Sequence, residues 1–486
     1  MPEKLLSLQN VLHLNQRKMN HFTRRSFFKT SSAAVAGAFF IPNLIGCSPN
    51  NRLNIALIGA GGRGVQNWSV FEHEREEKEK KDDKNSPLLM KENIVAICDV
   101  DQNRAARAFK AFPKAKRFKD FRKMFDEMGS EIDAVIVSTP DHTHFAATMA
   151  AMELGKHVYC EKPLAHNIWQ LRTMKKAANY YKVITQLGNQ GHTTNGIRLI
   201  KEWYDAGILG QVKEVHAWFG PFDFKPGGYW TKPDAFPPSA QPVPEYLDWD
   251  LWLGPAAERP YNSVYVPKSW RGFYDLGNGM LGDWSCHTLD GPFWALNLGN
   301  PLTAEGIVPN PAPDHSFIPD ESVVKFEFGA RGDKVPVTMT WHEGGSKPEI
   351  RPEWGIKELP STGMVMVGDK KTLMTGGRPN EPRLLVSEEE LAEFQKNPPA
   401  KTIPRIGEEQ PQKEWIDAIK SNSLPGANFN YAAELNEMVL VGVLAQRFAT
   451  KLEYDAVNMK MTNRPDLDVY IKEPVRKGWA FGENLK

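Results

Sequence analysis
The chain has 486 residues, enough for two domains of roughly 100–200 residues each beyond a leader. Its 60 basic residues against 59 acidic ones exclude the strongly basic face that nucleic acid or an anionic membrane would need. Its 4 cysteines have no CxxC spacing, which excludes a zinc knuckle and a disulfide framework.

Residues 1–50 read as an address label rather than as part of the fold. Thr23-Arg24-Arg25-Ser26-Phe27-Phe28-Lys29 is a twin-arginine signal, the route for proteins exported already folded. An Ala-rich apolar stretch follows, shorter than the roughly 20 residues of a membrane-spanning helix. It ends in Leu44-Ile45-Gly46-Cys47, which resembles a lipobox. A lipid on Cys47 is then the only expected tie to a membrane, and the protein is expected to be periplasmic or membrane-anchored.

From residue 51 onward, strand-like and helix-like stretches alternate. The strands expected are Leu53 to Ile58, Ile94 to Cys98, Ala134 to Val137, His157 to Cys160 and Val183 to Thr185. Helical stretches such as Arg104 to Phe109 and Phe145 to Leu154 lie between them. The almost wholly charged run from His73 to Lys84 reads as a solvated helix end or loop insertion. Such alternation predicts an α/β fold with a doubly wound parallel sheet, whose ligands bind beyond the carboxyl ends of the strands.

The first strand runs into Gly59-Ala60-Gly61-Gly62-Arg63-Gly64. In a dinucleotide-binding turn, Gly59 permits the bend and Gly61 and Gly62 let the backbone approach a pyrophosphate. Gly64 then lets helix and strand pack closely. Asp99 ends the second strand, where an acid accepts hydrogen bonds from the adenosine ribose. It favours NAD over NADP, whose phosphate it would repel. Asp101 is the expected cap of the next helix. Further polar clusters end the later strands: Thr139-Pro140, then Glu161-Lys162-Pro163, then Gln186 with Asn189 and Gln190.

Three segments carry a resemblance: Thr139-Pro140-Asp141-His142-Thr143-His144, Glu161-Lys162-Pro163, and the stretch Gly279 to Asp290 containing Asp283 and His287. Together they resemble the glucose–fructose oxidoreductase/inositol dehydrogenase (Gfo/Idh/MocA) family, over essentially everything after the leader. The resemblance implies an NAD-binding Rossmann domain over 51–188. It also implies a C-terminal α/β domain over 189–486, built on a large, mostly antiparallel open sheet. Ser322 to Phe328 and Val335 to His342 read as strands of it. The outer face of that sheet would make the contact of a homo-oligomer.

In the family pattern Lys162 lies near the nicotinamide and the substrate hydroxyl, Glu161 positions cofactor and loop, and Pro163 stiffens the turn through a cis bond. Asp283 and His287 are four residues apart and share one helix face. Oxidising a secondary alcohol needs a base, and a neutral imidazole suits that task, so His287 is assigned as base. Asp283 would orient it or bind a neighbouring hydroxyl, while Lys162 stabilises developing alkoxide charge. A metal is not expected, because Asp283 and His287 supply only two ligands. Gln186, Asn189 and Gln190 are expected to leave the last strand toward the nicotinamide. His142 and His144 are expected either to line the cofactor side or to cap the following helix, cofactor contact being favoured for His144. Asp290 is read as a structural hydrogen-bonder.

Tyr229, Trp270 and Arg271 belong to a stretch rich in Trp and Tyr and are expected to bind substrate. Aromatic faces suit the C–H face of a pyranose, and arginine suits its hydroxyls. The function expected is NAD-dependent oxidation of a secondary hydroxyl on a sugar or glycoside. An exported enzyme meets no free nucleotide pool, so the cofactor would stay bound. The alternative is a redox-neutral glycosidase or lyase working through a 3-keto intermediate.

Overall fold
Short apolar runs that end at a glycine or an acid build the first sheet. The computed structural model describes residues 52–72, 90–221, 224, 230–312 and 314–485. The twin-arginine segment, Cys47, the charged run from His73 to Lys84 and Tyr229 lie outside them. Strands β1 (Asn54–Ile58), β2 (Asn93–Cys98), β3 (Lys116–Phe118), β4 (Ala134–Val137), β5 (His157–Glu161) and β6 (Thr185–Gly188) pair in the order β3-β2-β1-β4-β5-β6. Every pairing is parallel. Ala134, Val135, Ile136 and Val137 of β4 are all buried, as a strand covered by helices on both faces requires.

The expected strands at Ala134–Val137 and around Ile55 and Ile97 are present, and β3 was not anticipated. β3 is a three-residue edge strand with two exposed residues, so no apolar run marks it. The last strand lies two residues later than Val183 suggests. Pairing with β5 sets its register, with Val158 opposite Thr185 and Glu161 opposite Gly188. Gln186 is therefore a buried strand residue and does not leave toward a ligand. The helix expected from Phe145 begins at Asp141, so His142 and His144 are inside its first turn and cap nothing. Asp101 does cap the helix Gln102–Ala111, accepting from the Arg104 amide at 3.0 Å.

The second sheet has nine strands. β7 (Val212–Phe219), β8 (Thr303–Ile307), β9 (Ser322–Phe328), β10 (Val337–Glu343) and β11 (Thr362–Gly368) form its body. β12 (Thr372–Gly376), β13 (Arg383–Leu384), β14 (Lys451–Asp455) and β15 (Lys460–Met461) form its edges. The order is β13-β12-β11-β7-β10-β9-β8-β14-β15, antiparallel except between β7 and β10. Strict alternation in β9 turns Val324, Phe326 and Phe328 into the core.

The helices Gly279–Thr288 and Phe429–Arg447 cover that inner face. They approach closely where glycine leaves room: a Cβ on Gly442 would lie 2.3 Å from the Phe326 ring, and one on Gly306 2.1 Å from the Ala445 carbonyl. Phe429–Arg447 is buried along nearly its whole length, since the helix Ile168–Tyr181 of the first domain packs on its other side. The helix Pro411–Ser421 crosses back over a boundary drawn at 188/189. It packs Trp415, Ile416 and Ile419 into the core that holds Tyr159 and Ile184. Among the described residues no helix is long and apolar enough to cross a membrane.

Candidate active site
The carboxyl ends of β1, β2, β4 and β5 open into a cleft of about 450 Å³, closed on the far side by residues of the second domain. Gly59, Gly61, Gly62, Asp99, Thr139, Pro140, Glu161, Lys162, Gln190, Trp270, Arg271, Asp283 and His287 all line it. The topological switch of the first sheet, between β1 and β4, therefore holds the cleft, as open α/β sheets generally do.

Backbone conformation accounts for the glycines. Gly59 has φ +82°, and a Cβ there would lie 2.6 Å from the Ser138 carbonyl oxygen. A Cβ on Gly64 would lie 2.4 Å from the Gly59 carbonyl oxygen, so Gly64 serves helix–strand packing and does not line the cleft. Asp99 Oδ2 accepts from the Ala60 amide at 2.8 Å and the Gly61 amide at 3.3 Å, while Oδ1 accepts from the Asp101 amide. Burial raises the Asp99 carboxyl above its ordinary range against the pull of these amides. In this arrangement Asp99 shapes the loop.

Lys162 follows β5 and precedes a cis bond to Pro163. Its Nζ donates to the Asp283 carbonyl oxygen at 2.5 Å and to Asp283 Oδ1, joining the two domains across the cleft. Glu161 Oε1 accepts from Arg63 Nε and from Asn67 Nδ2, each at 2.9 Å, which ties the strand end to the glycine loop. Arg271 Nε lies 3.8 Å from Asp283 Oδ1, and its guanidinium lies 4.2 Å from the centroid of the Trp270 ring.

His287 is buried at the cleft wall, and its tautomer follows from its neighbours. Asn189 Nδ2 faces two groups that only accept, the Cys286 carbonyl at 2.7 Å and Asp290 Oδ2 at 2.9 Å. The Asn189 oxygen must therefore face His287, whose Nδ1 donates to it at 2.6 Å. Nε2 is then the nitrogen without a proton. Burial, with the positive charges of Lys162, Arg378 and Arg63, pushes the imidazole well below its ordinary pKa of 6.5. The arrangement is a neutral imidazole with a fixed tautomer beside a lysine ammonium.

Two expected cofactor ligands do other work. Asn189 does not line the cleft: it holds His287 and is itself held by Asp290. Asp290 is buried and also accepts from Tyr431 and His192, so it is the structural hydrogen-bonder expected of it. His144 lies behind the cleft wall, with both ring nitrogens 2.8 Å from carbonyl oxygens of Thr139 and Pro163. It clamps two loops together. Burial lowers its pKa, but Cys160, Asp141 and the Pro163 carbonyl outweigh that and push it up to about 9. His142 likewise sits between the carbonyls of Leu276 and Trp252.

Arg63, Arg104, Lys119, Trp284 and Arg378 also line the cleft and were not singled out. Arg63 and Trp284 stand inside quoted motifs, so their positions were visible although their roles were not. Arg378 comes from the turn between β12 and β13, far along the chain, and nothing local marks it. Among the described residues no cluster of three or more His, Cys, Asp or Glu could hold a metal.

The residues present fit a dinucleotide. Gly61 and Gly62 leave a cradle in which a Cβ would fall 2.7 Å and 2.5 Å from Arg104. Thr139 Oγ1, at the cleft wall, is buried without a hydrogen-bond partner among the described residues.

Comparison with known proteins agrees. Residues 53–189 match the oxidoreductase family with an NAD-binding Rossmann fold (GFO_IDH_MocA), and 193–308 match that family's C-terminal alpha/beta domain, together just over half of the chain. Levoglucosan dehydrogenase of Pseudarthrobacter phenanthrenivorans is 28% identical over 127 residues, 26% of this chain and 32% of that protein. Inositol 2-dehydrogenase 3 of Saccharopolyspora erythraea is 34% identical over 125 residues, 25% of this chain and 36% of that one. The alignments thus span about a third of these relatives' own length. Among solved structures, the WlbA dehydrogenase of Bordetella pertussis in complex with NADH and UDP-GlcNAcA superposes with a TM-score of 0.55 at 16% identity, covering 83% of this chain and 99% of that one. An inositol dehydrogenase homologue of Azotobacter vinelandii complexed with NAD+ gives 0.55 at 16%, covering 83% and 97%. At these identities the structural likeness establishes the fold. The two matched domains establish more: the chain belongs to the Gfo/Idh/MocA oxidoreductase family and carries that family's NAD-binding Rossmann domain.

Proposed function
We propose that this oxidoreductase oxidises a secondary hydroxyl of a sugar or glycoside. His287 is the base, Lys162 and Asp283 assist it, and NAD stays bound between turnovers. The observation that carries the reading is the hydrogen bond from His287 Nδ1 to Asn189 Oδ1, which leaves Nε2 free of a proton at the cleft wall. Gly59, Gly61, Gly62, Asp99, Thr139, Pro140, Glu161 and Gln190 would hold the nucleotide. When bound, NAD supplies the acceptor for the two electrons of the alcohol C–H bond.

His287 takes the hydroxyl proton at Nε2, and the Asn189 oxygen accepts from the Nδ1–H that remains. The Lys162 ammonium, placed by Asp283, offsets charge on the substrate oxygen as that proton leaves. Trp270 and Arg271 border the substrate. Names of relatives also support a sugar or polyol: levoglucosan and inositol dehydrogenases align with the chain.

The twin-arginine signal and lipobox support export of the folded enzyme with its nucleotide. A retained cofactor requires that electrons taken from one sugar return to another, or to the same one. In the second form, oxidation at C3 acidifies the adjacent C–H, the aglycone leaves by elimination, and the electrons return: a redox-neutral glycosidase or lyase.

The test is to incubate the purified protein, with no nucleotide added, with a panel of glycosides while following bound-cofactor reduction and aglycone release. Reduction that stops after one turnover identifies the dehydrogenase. Repeated aglycone release without net reduction identifies the redox-neutral reaction. A protein that holds no nucleotide and responds to none of them sinks the proposal of a retained cofactor.

A further inference from the structure
Among the described residues, three basic side chains of the cleft have a carboxylate within 4 Å, Lys162 and Arg271 sharing one. Lys162 is paired with Asp283, Arg63 with Glu161 at 2.9 Å, and Arg271 lies 3.8 Å from Asp283. The Arg378 guanidinium makes no ion pair or hydrogen bond among the described residues. It stands 5.5 Å from the centroid of the Trp284 ring, exposed toward the cleft.

The backbone that presents Arg378 is nonetheless pinned on both sides. The Gly377 carbonyl accepts from Thr288 Oγ1 at 2.8 Å, and the Pro379 carbonyl accepts from Thr194 Oγ1 at 3.2 Å. Pro379 is buried in a seat made by glycines. A Cβ on Gly191 would lie 2.6 Å from its ring, and one on Gly196 2.4 Å from its carbonyl oxygen. Thr288 belongs to the helix of Asp283 and His287, so the turn is fixed relative to the reacting groups.

Trp284 links the two positions. Its ring lies 5.7 Å from that of His287, 4.5 Å from Phe219 and within reach of Arg378. A sugar ring against this indole, with a hydroxyl at His287, brings another substituent to Arg378. The unmatched charge calls for an anion there, and a guanidinium fork suits a planar or tetrahedral oxyanion.

We infer that Arg378 selects a substrate whose sugar ring carries an oxyanion, a carboxylate or a sulfate ester, held beside Trp284 while its hydroxyl is at His287. This rests on the sugar-oxidoreductase reading above and names the substrate class within it.

The full-length protein and its Arg378→Ala and Arg378→Lys variants are titrated calorimetrically with D-glucuronate, D-glucose 6-sulfate and D-glucose. Bound-cofactor reduction is followed with the same three compounds. At least one anionic sugar is expected to bind about 10- to 100-fold more tightly than D-glucose, the range for a hydrogen bond to a charged group. Which of the two does so tells carboxylate from sulfate. Arg378→Ala should abolish the difference, and Arg378→Lys should restore only part of it, because the lysine lacks the fork.

Equal binding of all three compounds by the wild type overturns the inference, and D-glucose then reducing the cofactor leaves the sugar-oxidoreductase reading intact. Loss of bound nucleotide in Arg378→Ala with an unchanged anion preference also overturns it, because Arg378 would then serve the cofactor. Anion preference that depends on Arg378, without reduction by any sugar, supports the anion site and removes the reaction assigned to it.

Discussion

Which nitrogen of His287 carries a proton is decided by a residue that never reaches the cleft. Asn189 has its amide group committed to Asp290 and to a carbonyl, so only its oxygen is left for the imidazole. Asn189→Ala should therefore lower kcat while nucleotide binding stays close to wild type. The expected loss is about 10²-fold, the cost of a misplacement on the order of 1 Å. His287→Ala should lose about 10²- to 10⁴-fold, the range for a general base. Steady-state kinetics beside a nucleotide titration checks both, and an Asn189→Ala enzyme with wild-type kcat would remove Asn189 from the account. His144 gives a prediction about stability. Its folded pKa of about 9 lies above the ordinary 6.5, so protonation favours the folded state. That contribution is complete below pH 6.5 and fades as the pH rises through about 9. Its size is on the order of 3 kcal/mol. Urea midpoints between pH 6 and pH 9.5 should fall for the wild type and fall less steeply for His144→Gln.

At the scale of elements, the glycine loop is a contact between backbones before it is a binding site. Gly64 sits in the first turn of its helix, directly against the Gly59 carbonyl. Adding one methyl group forces Gly59 away from Ser138 or the helix away from β1. Gly64→Ala should cost about 1–3 kcal/mol by overpacking and weaken nucleotide binding at the same time, because the moved atoms belong to the loop. Chemical denaturation with a nucleotide titration tests the coupling, and stability lost with unchanged affinity would separate the two roles. The glycine spacing after a strand was enough to find this element. The shifted start of β6 and the earlier start of the Asp141–Met152 helix were not legible in the same way. Strand register and the pairing of polar residues such as Asp141 with Asn278 set those bounds, and both partners lie far away in the chain.

At the scale of the molecule, the two domains share helices, so they are expected to lose structure together. Trp415 is completely buried, reaches the core of the first domain from the C-terminal part of the chain, and meets Tyr159 edge-on at 5.8 Å. Trp415→Ala should destabilise the protein by about 3–5 kcal/mol. The loss should appear in probes of the nucleotide-binding domain, such as the affinity for NAD, as well as in global unfolding. Unfolding of the C-terminal part alone would argue against the shared core. The same architecture makes the cleft, since Lys162 at the end of β5 meets Asp283 across the domain boundary.

The sequence alone determined the family, the parallel first sheet, the glycine loop and the strand-end and helix motifs that reach the cleft. Those features rest on local signals: apolar runs at strand spacing, glycines where a side chain cannot fit, and motifs whose members are neighbours in the chain. Only the tertiary structure decided that Asn189 and His144 brace the site from behind, that Asp290 anchors Asn189, and that Arg378 enters the cleft. Each of those roles depends on a partner about 20 to 190 residues away in this chain. Hydrogen bonding and charge act through space, and a sequence records only which groups are available.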